Sequence, residues 1–122
     1  MWIKTILLLV LTVIVFLSGY WLHRAGSPYG TFVLAIHKLV ALVAIVIIGS
    51  LLVAAQRRIG LSGGDAYVVA AAVVLLIAAM ASGGFISAME TAPKWVLVFH
   101  RIIPYFSAIA AGACVYISWV KA

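Results

Sequence analysis

The chain has 122 residues, of which 68% are apolar and 8% charged, and its net charge is +6. A soluble domain is about half apolar, with roughly a quarter of its residues charged, and a chain this short has too little interior to hide the excess. The composition excludes an ordinary water-soluble globule and, with it, the reading of the positive charge as a nucleic-acid surface. Most side chains must face a lipid bilayer.

Cut at its charges and glycines, the chain leaves four apolar stretches, each reaching the ~20 residues that a spanning helix needs. The expected fold is all-α: an integral membrane four-helix bundle, one transmembrane domain over residues 1–122. Helix 1 is expected at about 2–22. It is longer than the apolar core of a signal peptide, and Ser18-Gly19-Tyr20-Trp21 is a poor cleavage site, so it reads as retained. Helix 2 is expected at about 28–56, with Ser27 as cap and Pro28 in the first helical position. Gln56-Arg57-Arg58-Ile59-Gly60 closes it, with cations at the negative pole. Helix 3 (about 65–89) has Asp65 after Gly63-Gly64 at its start, and helix 4 (about 93–121) has Thr91 before Pro93. Aromatic rings mark two membrane levels, Trp2, Tyr67, Tyr116 and Trp119 at one and Tyr20, Trp21, Tyr29 and Trp95 at the other. The spans take up nearly the whole chain, so function is expected inside the bundle or at its rims.

The cations divide into Lys4, Arg57, Arg58 and Lys121 on the side of both termini, and Arg24, Lys38, Lys94 and Arg101 on the other. Lys38 and Arg101 lie well inside helices, which leaves four against two, and the positive-inside rule then places both termini in the cytoplasm. The lone Cys114 excludes an internal disulfide and reads as a small packing residue.

An ionisable residue inside a membrane helix is a functional hypothesis by default. His37 lies about nine residues into helix 2 and His100 about seven into helix 4. The two helices run in the same direction, so both imidazoles sit roughly 10–13 Å below their helix starts. The stretch Phe32–Val40 matches Trp95–Ile103 in residue class, with His37-Lys38 over His100-Arg101, at an offset of 63. The same offset lays helix 1 over helix 3, which implies two repeated helix hairpins, residues 1–60 and 61–122. At the histidine level, helices 1 and 3 carry Ser18 and Gly19, and Ala81, Ser82, Gly83 and Gly84. Small residues admit close approach of something flat or of another helix. Pro104, four residues past His100, cannot donate to its carbonyl and should bend helix 4 there. Two histidines flanked by Gly19, Gly83 and Gly84 suit a porphyrin whose iron takes two neutral imidazoles. Arg24, Lys38, Lys94 and Arg101 are on the side where they could meet its propionates. His23 reads as an interfacial residue at the end of helix 1.

On these residues the chain resembles the small four-helix b-type cytochromes of membranes, the bacterial cytochrome b-561 type and the haem-bearing anchors of respiratory dehydrogenases. The resemblance implies His37 and His100 as axial ligands of haem b, electron exchange with a quinone or a redox partner protein, and a prokaryotic cytoplasmic membrane. Members of the class usually carry two stacked haems. Here the other half-membrane offers only Met80 and Cys114 as ligands, so one haem is expected. No Ser-His-Asp set, phosphate loop or paired carboxylate is visible, which favours an electron carrier over an enzyme with bond-making chemistry. A small transporter or channel is the first rival. The only acids, Asp65 and Glu90, lie at helix ends, which speaks against a cation exporter and leaves a histidine-based proton or anion pathway. A haem-free structural anchor subunit of a larger membrane complex is the second.

Overall fold

The computed structural model describes residues 2–60 and 62–121. Within them the chain is all-α: α1 (Trp2–Ala25), α2 (Thr31–Ile59), α3 (Gly64–Ala88) and α4 (Lys94–Val120). All four are long and apolar enough to cross a membrane. The shortest, with 24 residues, is about 36 Å long at 1.5 Å per residue, against ~30 Å of hydrocarbon. Large apolar side chains are exposed along every helix, among them Ile3, Leu9 and Leu17 on α1, Leu39 and Val46 on α2, Val74 and Ile77 on α3, and Ile102 and Ile109 on α4. A surface of that kind is stable in lipid and not in water, and the chain is an integral membrane protein on this ground.

Glycine ends the first two helices. Gly26 (φ +71°) and Gly60 (φ +60°) take the left-handed conformation that costs glycine nothing. Their N–H groups donate to the Leu22 and Gln56 carbonyls at 3.0 and 3.1 Å. That is the single-bond helix stop in which the residue after the helix satisfies a last-turn carbonyl.

The helix starts depart from expectation. α2 begins at Thr31, with the Gly30 carbonyl accepting the first bond from Leu34 N–H at 3.0 Å. Ser27 and Pro28, joined by a cis peptide bond, lie in the connection and are not the cap and first residue of the helix. Asp65 is not a cap either. Gly63 precedes α3 without a side-chain cap, and Asp65 stands in the first turn, paired with Lys121. Its charge complements the positive end of the helix from there. Pro93, not Thr91, is the residue before α4. α4 stays helical from Lys94 to Val120 with Pro104 inside it.

The chain forms two compact units, residues 1–51 and 52–122. In the first, α1 and the greater part of α2 are antiparallel: Lys4 Nζ donates to Ser50 Oγ at 3.4 Å near one end, and Ser18 meets His37 near the other. In the second, α3 packs antiparallel along α4, tied by the Asp65–Lys121 ion pair at one end and by Ser82 with His100 at the other. The buried side chains of α4 are Val96, Ile103, Ser107, Ala111, Cys114 and Ser118. Steps of seven, four, four, three and four put them on one face, and His100 falls on the same face. From Ser107 on, that face is built of small side chains, which let helix backbones approach closely. Cys114 is buried there as a free thiol, in a packing position.

Candidate functional site

His37 is the seventh residue of α2 and His100 the seventh of α4. Each ring is therefore about 9 Å along its helix from the first residue. Each is half-buried against the preceding helix of its own hairpin. Ser18 Oγ lies 2.9 Å from His37 Nδ1, and Ser82 Oγ 2.8 Å from His100 Nδ1. The next residue on each helix is glycine. A Cβ built on Gly19 would stand 3.1 Å from His37 Cε1, and one on Gly83 2.7 Å from His100 Cε1. In both rings Cε1 is nearer to the glycine than either nitrogen is. The edge of the imidazole is thus set into the notch the glycine leaves, Nδ1 turned to the serine and Nε2 on the other flank.

The same seat is built twice, one in each unit. The two connections are equal in length, residues 26–30 and 89–93. The histidines are 63 positions apart, while the serines and the glycines are 64 apart. The extra residue lies in α1, which runs seven residues past Ser18 where α3 runs six past Ser82. A constant offset along the whole chain therefore misses the pairing of the seats by one position.

The glycines expected to wall a flat ligand have a different place. Gly19 and Gly83 receive the histidine rings themselves, whereas Gly84 is exposed, with nothing within 4 Å of a built Cβ. Arg24, Lys38, Lys94 and Arg101 are all exposed, as is His23. Arg24 is in the last turn of α1. Lys38 and Arg101 directly follow the histidines, and Lys94 opens α4 at the rim of an apolar groove with Trp95, Phe99 and Phe106. The serines carry the signal the sequence reading missed. They count as small residues in composition, although Ser18-Gly19 and Ser82-Gly83 recur as dipeptides about two turns before the helix ends.

Chemically, each unit offers one imidazole anchored through Nδ1. Among the described residues no group of three or more histidine, cysteine or acidic side chains that could hold a metal ion is formed. An iron already bound by four porphyrin nitrogens asks the protein for only one or two axial ligands. No protein-family model, curated protein or solved structure matches the chain.

Proposed function

We propose that the chain is a membrane b-type cytochrome that binds one haem b through His37 and His100 and passes electrons to or from a quinone or a redox partner protein. The observation that carries this reading is the duplicated seat. A serine and a glycine hold a histidine at the same helical position in each hairpin, and each holds it by the same nitrogen. A pair of axial ligands requires two such seats.

The donor set fits the group. Two neutral imidazoles add no net charge to a ferric or ferrous porphyrin, and an imidazole held at Nδ1 ligates through Nε2. When bound, haem supplies a one-electron couple that needs no proton acceptor. The protein's part is to hold the rings and to place cations near the anionic edge of the group. Lys38 and Arg101, each next to a ligand, together with Arg24 and Lys94, are the residues for that edge, and their long stems let the charge reach the interface.

The test is the absorption spectrum of the protein purified in mild detergent. The reading expects a Soret band and, on reduction, the sharp visible bands of a low-spin bis-imidazole haem, both lost in His37→Ala and in His100→Ala. A purified protein without a Soret band, or a His37→Ala variant with an unaltered one, would mean that the histidines serve only as hydrogen-bonding residues within their hairpins.

A further inference from the structure

The direction of the two serine hydroxyls decides which imidazole nitrogen carries the proton. A serine hydroxyl has one hydrogen to give and two lone pairs to offer. Ser18 Oγ lies 2.7 Å from the Ile14 carbonyl oxygen and 3.1 Å from that of Val15. A carbonyl only accepts, and two oxygens at 2.7 Å stay together because a hydrogen lies between them. The Ser18 proton is thus given to its own helix, and towards His37 Nδ1 the hydroxyl presents a lone pair. Nδ1 must then donate. Ser82 Oγ likewise has a carbonyl of its own helix beside it, that of Ala79 at 3.0 Å, and lies 2.8 Å from His100 Nδ1. Serines in membrane helices commonly return their hydroxyl to a carbonyl one turn back. At these two positions that habit leaves an acceptor aimed at the neighbouring helix.

We infer that Ser18 and Ser82 are positioning residues: each fixes its histidine as the Nδ1–H tautomer, so that Nε2 carries the lone pair with which the ring binds a metal. Rotating a ring by half a turn would bring Cδ2 to the serine and lose the bond, and the glycine notch receives the Cε1 edge. One tautomer and one ring orientation are selected together. The consequence for electron transfer rests on the haem reading above; the tautomer does not. An acceptor on Nδ1–H raises the electron donation of the ligating nitrogen, which favours the ferric state. Loss of either serine therefore raises the reduction potential.

The experiment uses the full chain, labelled with 15N at histidine and reconstituted without haem in phosphatidylcholine vesicles. Solid-state NMR distinguishes the protonated from the lone-pair nitrogen of each ring, and the exposed His23 serves as an internal reference. His37 and His100 are expected in the Nδ1–H form. Ser82→Ala should release only His100 from it, and Ser18→Ala should raise the Nε2–H fraction of His37 alone, by less because the Val15 carbonyl still accepts from that ring, whereas Ser18→Thr and Ser82→Thr, which keep a hydroxyl, should retain it. A wild-type ring found in the Nε2–H form overturns the inference for that site, whatever becomes of the variants. An alanine variant of unchanged helicity whose ring keeps its tautomer overturns the role of the serine. With haem bound, each alanine variant should raise the midpoint potential, by up to tenfold in the oxidised-to-reduced ratio, or up to ~59 mV for one electron. Unchanged potentials in both variants contradict the electronic role, and a protein that binds no haem removes the haem reading while the NMR result stands.

Discussion

At positions 19 and 83 the space a side chain would take is occupied by an imidazole, and the two sites differ in how tightly. The built Cβ is 3.1 Å from the His37 ring at Gly19 but 2.7 Å from the His100 ring at Gly83. The first distance asks for a small adjustment. The second cannot be kept, because real Cβ atoms do not approach so closely. Gly83→Ala should therefore displace His100 and destabilise the second hairpin by about 1–3 kcal/mol, in the range for overpacked sites. Gly19→Ala should cost less, and Gly84→Ala, with open space around it, should be neutral to stabilising by up to about 1 kcal/mol, since alanine is the better helix former. Unfolding titrations of the three variants in micelles check the order. The histidines were legible in the sequence because an ionisable group in an apolar helix is conspicuous. The glycines were legible only as small residues. Their use depends on which side chain of the neighbouring helix fills the notch, and no spacing along one strand of sequence specifies that. The serines are hidden in the sequence for a related reason: a hydroxyl that bonds back to its own helix looks like packing until its second partner is seen.

Among the elements, composition predicts the helices and local chemistry fails to place their starts. Four apolar stretches translate into four helices because in hydrocarbon a backbone must satisfy its own hydrogen bonds. Where a helix begins is decided by smaller energies. Ser27-Pro28 has the right residues for a start, yet the chain spends them in the connection and begins α2 at Thr31. Capping serines lose ~1 kcal/mol on change to alanine. Ser27→Ala should instead change stability by less than ~0.5 kcal/mol, as an exposed connecting residue does. Asp65 and Lys121 tie the termini of α3 and α4, but the lysine side chain is 52% exposed. Such pairs are worth about 0–1 kcal/mol. Asp65→Asn should fall inside that range, with the difference shrinking in high salt, and thermal unfolding at two salt concentrations would read both effects. His37-Lys38 and His100-Arg101 take the same positions in α2 and α4 at an offset of 63, whereas Ser18 and Ser82 are 64 apart because α1 has one more residue after its serine, a shift that an offset read from the histidines alone does not reveal.

For the whole molecule, the extreme composition identifies a membrane protein and its exceptions point to the histidines. Four membrane crossings would place both ends of the chain on one side. With Lys4, Arg57, Arg58 and Lys121 there and, once Lys38 and Arg101 inside their helices are set aside, only Arg24 and Lys94 at the opposite helix ends, the cation bias predicts that side to be cytoplasmic. Reporter enzymes fused to either end should be active only in the cytoplasm, and a periplasm-active reporter at either end would reverse the assignment. The central claim is that one haem takes both histidines. It is tested most directly by measuring the haem-to-protein ratio of the wild type, His37→Ala and His100→Ala purified side by side. The account predicts one haem per chain in the wild type and loss of the bis-imidazole haem in either variant. Two haems per chain, a full haem complement in either variant, or none in the wild type would contradict it.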